Sequence, residues 1–261
     1  MKKIFAGLLV VLVLLTGAYF GLPWPGNVPV LMYHFIDTPE RAVLEKNVVS
    51  VQSFKRQMDF LDRFGYHVIS LEDYYLMLAG KRKPSPKEVV ITFDDGNYTF
   101  KDHALAILEK HQFPVTVFVV SGNAQYQKHG SMDNPTIKKI SESPLVTIGS
   151  HSRTHPVLAE LDEAKLRTEI LGSKEDLEKL IQKPVLYFAY PSGVLNALVL
   201  DIVKASGYRL AFTTSRKKLK KLPIGPLTIT RVKISRTSDN PFAFWVRISG
   251  LDQAFRRIKI D

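Results

Sequence analysis

Two short segments of this sequence carry side chains that could do chemistry together. The first is Thr92-Phe93-Asp94-Asp95-Gly96, which follows the apolar, β-branched run Val89-Val90-Ile91. Two adjacent carboxylates at the end of a buried strand are costly unless a metal ion or a proton meets them. Strand alternation sends neighbouring side chains to opposite faces. Here the pleat ends and Gly96 frees a turn, so both carboxylates can reach one cavity. A plainer reading competes: Asp95 or Asn97 caps a helix that starts near Tyr98. The second segment is His151-Ser152-Arg153-Thr154-His155, again just past an apolar run. Two imidazoles four residues apart can share one cation. One carboxylate and two imidazoles make a three-ligand site with open positions, which suits a catalytic divalent ion. The alternative is a pair of surface histidines that cap turns.

Three further segments end apolar runs in the same way. In Phe188-Ala189-Tyr190-Pro191-Ser192-Gly193, Pro191 and Gly193 fix a tight turn whose backbone N–H could stabilise an oxyanion, or simply lead into a helix. In Val30-Leu31-Met32-Tyr33-His34, the terminal histidine could donate a proton or sit satisfied in the core. In Thr228-Ile229-Thr230-Arg231, the arginine could neutralise a carboxylate or point outward.

These segments need a scaffold that brings several strand ends to one rim. The pattern predicts strands over 29–33, 67–70, 88–93, 115–120, 145–149, 185–189, 209–213 and 227–234. It predicts helices over 53–64, 71–79, 98–111, 135–141, 162–181 and 195–205, with Ser53 as an N-cap and Gly65 and Gly207 at C-terminal caps. Alternation at this rhythm means βαβ units and a parallel sheet. About eight such strands favour an α/β barrel, whose active sites lie at the C-terminal rim.

Composition narrows the function classes. The chain has 261 residues, 45% hydrophobic and 23% charged, with no cysteine. It is too apolar to be disordered, and it can have no disulfide framework, cysteine nucleophile or cysteine zinc finger. Met1-Lys2-Lys3 precedes an uncharged, strongly apolar run, so residues 1–24 read as a signal anchor or a signal peptide. An N-terminal hydrophobic helix of that kind puts residues 25–261 outside the cytoplasm, as one domain secreted or anchored at the membrane. The net charge is +11. Export makes nucleic acid a poor partner for it. The basic run 216–221 is either a solvated loop or a contact for anionic lipid or wall polymer. The segment 241–260 interleaves aromatic and basic residues, as a helix packed on the domain or lying on a membrane surface.

The order Thr92-Phe93-Asp94-Asp95-Gly96, then His151-Ser152-x-x-His155, then Pro191-Ser192-Gly193 resembles the polysaccharide deacetylases with the NodB homology domain. The resemblance implies a distorted (β/α) barrel and metal-dependent removal of acetyl from N-acetylated sugars. It implies that Asp94 is the catalytic base and that Asp95, His151 and His155 hold the metal. Zinc is the first choice, with cobalt, nickel, iron and manganese also compatible. The Ser192 N–H falls where the family has its oxyanion donor. Two departures stand out. Ala189 and Ser192 occupy the arginine and aromatic positions of the usual R-x-P-Y/F-G motif. Ile229-Thr230-Arg231 stands where many members have the L-x-H that supplies the acid. The early Val30–His34 segment and Phe188-Ala189-Tyr190-Pro191 resemble the exported poly-N-acetylglucosamine deacetylases, which implies His34 as the acid and Tyr190 and Pro191 on the substrate side. The orienting partner of Asp94 is then Arg153, Arg231 or Arg167. The expected substrate is an N-acetylglucosamine polymer, either poly-N-acetylglucosamine or peptidoglycan. The departures leave open a catalytically weakened glycan- or wall-binding protein, and the apolar N-terminus with the basic surface leaves open a membrane-associated structural or assembly factor.

Overall fold

The computed structural model describes residues 28–44, 46–122, 130–214 and 222–249. The N-terminal apolar run, the basic run 216–221 and the last part of the segment 241–260 lie outside the described residues. Among the described residues, no helix is long and apolar enough to cross a membrane.

The chain alternates strands and helices throughout. In order these are β1 (Val30–Tyr33), β2 (Phe35–Asp37), α1 (Pro39–Leu44), β3 (Val48–Ser50), α2 (Val51–Arg63), β4 (His67–Val68), α3 (Leu71–Leu78) and β5 (Glu88–Phe93). A π-helical turn, Phe100–Ala104, runs into α4 (Leu105–Lys110). There follow β6 (Val115–Val119), α5 (Asn134–Ser141), β7 (Val146–Ser150), α6 (Glu163–Ile181), β8 (Tyr187–Ala189), α7 (Ala197–Ala205), β9 (Leu210–Thr213), β10 (Ile229–Thr230), β11 (Val232–Lys233) and α8 (Pro241–Ile248).

The main sheet is parallel, in the order β10-β9-β8-β7-β6-β5-β1-β11, with β4 beside β5. β10 and β11 lie at opposite ends of that order yet are separated by Arg231 alone. The expected strand 227–234 is therefore broken. Its first half pairs with β9 and its second half with β1, which draws the sheet's two edges together into a barrel. The Arg231 N–H bonds the Thr213 carbonyl at 3.1 Å, and the Ile234 N–H bonds the Met32 carbonyl at 3.0 Å.

Period-2 alternation sorts the strand side chains. Leu31, Tyr33, Val89, Ile91, Phe93, Val117, Val119 and Phe188 face outward and pack with α2, α4, α5, α6 and α7 through Phe54, Leu108, Ile137, Ile170 and Val199. Val30, Val90, Phe118, Ala189 and Phe212 face inward, where Leu71 and Tyr74 of α3 join them. Gly149 of β7 makes room for Phe118, because a Cβ there would lie 2.5 Å from its ring.

Several boundaries differ from expectation. Ser50, not Ser53, caps α2 and accepts the Ser53 N–H at 3.2 Å. Gly65 and Gly207 do take positive φ, 65° and 76°, just past α2 and α7. The helix expected over 98–111 begins as a π turn that seats Phe100 against Phe93, with ring centroids 5.0 Å apart. The parallel pair β2–β3 and helix α1 carried no clear pattern in sequence. In α8, Phe244, Trp245 and Ile248 are buried while Phe242 is exposed, so this part of the segment 241–260 packs on the domain.

Candidate active site

The catalytic candidates lie at the C-terminal ends of the strands. Asp94 directly follows β5, and its N–H closes the ladder onto the Tyr33 carbonyl at 3.0 Å. Its position continues the inward series Val90, Thr92, and it is 3% exposed. Asp95 should then face outward. Instead it adopts φ 71°, and Gly96 follows at 63°, so the chain turns and Asp95 returns to the same rim. A Cβ on Gly96 would come within 3.3 Å of Val119, so the turn also sits close against β6. Asn97, not Asp95, serves the following helix, accepting the Thr99 N–H at 2.9 Å. The capping alternative for Asp95 is thereby set aside.

His151 directly follows β7 and is 2% exposed. Its Nδ1 lies 2.7 Å from the Ala189 carbonyl oxygen. A carbonyl only accepts, so Nδ1 carries the hydrogen and the neutral ring turns the lone pair of Nε2 to the rim. Nε2 stands 3.6 Å from Asp95 Oδ1, and His155 Nε2 stands 3.8 Å from the same oxygen. Ligand atoms of Asp95, His151 and His155 all lie within 4.8 Å of one another. Burial pushes the His151 pKa down, against the pull of Asp94 and Asp95, and the neutral form is the one that binds metal. Two imidazoles and one carboxylate, with one imidazole already oriented from behind, fit a divalent transition ion with positions left open.

Asp94 is held differently. Arg231 grips it with both arms, NH1 to Oδ1 and NH2 to Oδ2, each at 2.6 Å. The same NH1 donates to Thr92 Oγ1 at 3.1 Å, and that hydroxyl donates to the Leu31 carbonyl at 2.6 Å. The guanidinium lies over Phe118 and Phe212, 5.2 and 5.8 Å from their centroids. Burial alone would push the Asp94 carboxyl up. Arg231 above all outweighs it and holds the pKa at about 2. Of the three arginines considered for this task, Arg153 binds Asp176 at 2.9 Å and Arg167 binds Glu163 at 2.7 Å. Neither is the partner of Asp94.

His34 continues the inward series Val30, Met32 just past β1. Among the described residues its Nδ1 is buried without a hydrogen-bond partner. Burial lowers its pKa, Asp94 and Asp95 push it back up, and Arg231 and His151 lower it further, so it lies in the field of the whole rim. Ser192 takes a left-handed conformation, φ 54°, in the turn after β8, where Gly193 donates to the Tyr190 carbonyl at 2.8 Å.

Tyr190 and Pro191, expected on the substrate side, are buried. Tyr190 has the outward parity of Phe188, stacks edge-on to it at 5.3 Å, and donates its hydroxyl to the Leu227 carbonyl at 2.9 Å. It fastens β8 to the segment leading into β10, and no face of it is open to a ligand. Glu169, which no motif marks, accepts hydrogen bonds from the loop that carries both histidines. Its one sequence signal is an acid among the helical positions Leu166, Ile170 and Ser173, which are buried.

Comparison with known proteins agrees with this geometry. The sequence profile of the polysaccharide deacetylase family matches residues 81–211. The chain is 24% identical over 197 residues to the poly-β-1,6-N-acetyl-D-glucosamine N-deacetylase of Staphylococcus aureus, covering 71% of this chain and 67% of that one. Its fold superposes on the deacetylase PplD of Streptococcus pyogenes, solved in complex with acetate, with a TM-score of 0.75 and 27% identity, over 86% of this chain and 99% of that one. It superposes on BC0361, a polysaccharide deacetylase from Bacillus cereus, with a TM-score of 0.73 and 30% identity, over 85% of this chain and 69% of that one. The strand order, the Asp-His-His cluster and the profile match lead to one conclusion: this chain belongs to the polysaccharide deacetylase family of hydrolases.

Proposed function

We propose that the protein is an exported, metal-dependent deacetylase that hydrolyses the acetamide of N-acetylglucosamine units in a surface polysaccharide. The observation that carries this reading is the pairing of two differently held groups on one rim: a metal-ligand cluster and, beside it, a buried carboxylate clamped in its ionised form. Poly-N-acetylglucosamine is the first candidate substrate, in keeping with the S. aureus relative, and peptidoglycan the second. Export rests on Lys2, Lys3 and the apolar run behind them, with residues 1–24 as anchor or signal and 25–261 as the working domain.

A divalent ion held by Asp95, His151 and His155 would supply Lewis acidity towards the acetamide carbonyl and towards water. The chain's own residues do the rest. Asp94, kept ionised and oriented by Arg231, takes the proton of the attacking water. The Ser192 N–H meets the negative charge that develops on the carbonyl oxygen. His34 hands a proton to the leaving nitrogen, so its reactive form is the imidazolium, which Asp94 and Asp95 favour and burial opposes. The weakened-binding alternative drew on the missing arginine at position 189 and the missing late histidine. Arg231 on Asp94 answers the first, and the second is left to His34 in this reading.

The test is acetate release from β-1,6-linked N-acetylglucosamine oligomers, and separately from peptidoglycan fragments. It uses the full chain in mild detergent, as purified, after chelation, and after adding Zn²⁺ or Co²⁺. Release that chelation abolishes and added ion restores is expected on one of the two. No release on either from folded, metal-loaded protein would sink the reading.

A further inference from the structure

The loop that carries both histidine ligands runs against its own backbone preferences. Ser152 and His155 both adopt positive φ, 66° and 61°, although neither is glycine. Left to itself, such a loop would spend much of its time elsewhere, and His155 would leave Asp95 and His151. Something outside the loop must hold it.

Helix α6 does so along one polar stripe on an otherwise apolar buried face. Glu169, Ser173 and Asp176 follow one another at four- and three-residue spacing, so they share that face. Glu169, 8% exposed, accepts three bonds from the loop. Its Oε2 takes the Arg153 N–H at 2.9 Å and the Thr154 N–H at 2.8 Å, and its Oε1 takes the Thr154 hydroxyl at 2.6 Å. Ser173 shares a 2.7 Å hydrogen bond with Ser150, whose oxygen accepts the Ser152 N–H at 3.3 Å. Asp176 holds the Arg153 guanidinium at 2.9 Å. Inside the loop, the His155 N–H returns to Ser152 Oγ at 3.0 Å. A buried carboxylate receiving two successive backbone N–H groups and a hydroxyl is the strongest single tie in this set.

We propose that Glu169 is the positioning residue of the metal-binding loop. It fixes where His155 stands relative to His151 and Asp95, and so sets how tightly the ion is held, without touching ion or substrate. The inference rests on the metal-dependent reading above and deepens it.

The test measures Zn²⁺ affinity by chelator competition and the visible spectrum of the Co²⁺ form, in the full chain, for wild type, Glu169→Ala and Glu169→Gln. Circular dichroism of each ion-free protein checks folding. Glu169→Ala should weaken Zn²⁺ binding by about 10–100-fold, as loss of a group that supports metal ligands typically does. Its Co²⁺ spectrum should change as the ligand geometry loosens. A glutamine can still accept the two N–H groups and donate to the Thr154 oxygen. It loses only the charge, which accounts for roughly half the strength of such bonds, so Glu169→Gln should fall by about 3–10-fold. Excess metal should restore activity to both. Wild-type affinity together with an unchanged Co²⁺ spectrum in folded Glu169→Ala would overturn the proposal. Should the alanine variant not fold, wild-type affinity in Glu169→Gln would overturn it. If wild type itself bound no ion, the metal-dependent reading would be the one to fail.

Discussion

The residues of this rim come from two kinds of place. Asp95, His151 and His155 sit at the ends of β5 and β7, inside the stretch 81–211 that matches the family. His34 and Arg231 lie outside it, at β1 and between β10 and β11, near opposite ends of the described chain. The first group is local: each candidate ligand lies within five residues of a strand end, and the turns at Asp95-Gly96 and Ser152–His155 aim Asp95 and His155. The second group exists as part of the site only because the barrel closes. Arg231 reaches Asp94 because the last strand crosses from β9 to β1 at that residue. The candidate metal cluster leans on its nearest neighbours, the Ala189 carbonyl behind His151 and Glu169 behind the histidine loop, whereas the charge partner of Asp94 depends on closure of the whole barrel. The difference also explains the two departures from the family pattern as one exchange. The arginine absent at Ala189 is supplied by Arg231, at the place where many members carry their late histidine. On the reading proposed above, the acid role falls to His34, across the same seam.

Variants can break this comparison. The largest effect should come from the local group: His151→Ala should lose both bound metal and turnover. Asp94→Asn should keep the metal, measured by chelator competition, while turnover falls by about 10²–10⁴. Wild-type turnover in that variant would remove Asp94 as the base. On the closure side, His34→Ala should also lower turnover, within about 10²–10⁴, without releasing metal. An unchanged rate would move the acid elsewhere. The smallest effect should come from Tyr190→Phe. It removes one hydrogen bond to the Leu227 carbonyl and should cost about 1 kcal/mol of stability in denaturant titration. KM should not change. A raised KM would return Tyr190 to the substrate side.

Much of this was legible in the sequence, for identifiable reasons. β5 is a continuous buried run, and the structure places it at the predicted residues 88–93. The two motif clusters were legible because the residues of each lie within a few positions of one another in sequence. Parity could have shown that Tyr190 is buried, since it shares the outward face of Phe188. Arg231 stood out in sequence as a charge ending an apolar run, but that residues 227–234 divide there was not legible, because only the pairing of the two halves to β9 and β1 divides them. Glu169 was hidden for the same reason: an acid in a helix looks solvated until the loop it serves has folded against it.

The central claim is that closure of the barrel creates the base by placing Arg231 on Asp94, and pH tests it most directly. In wild type the Asp94 pKa lies at about 2, below its ordinary 3.8. The Asp94 carboxylate, the proposed base, is therefore ionised at any pH above about 4, and the stability of the pair is lost only as pH falls through that depressed value. Without the guanidinium the largest influence that lowers it is gone, so the Asp94 pKa rises and less of this carboxylate is ionised as the solution becomes more acidic. Removing one partner of a buried pair also costs about 3–5 kcal/mol, so folding must be verified by circular dichroism. We would measure kcat/KM against pH for wild type and Arg231→Met at saturating metal. The account predicts a deficit that deepens steadily towards acid pH. Parallel profiles in a folded variant would contradict it.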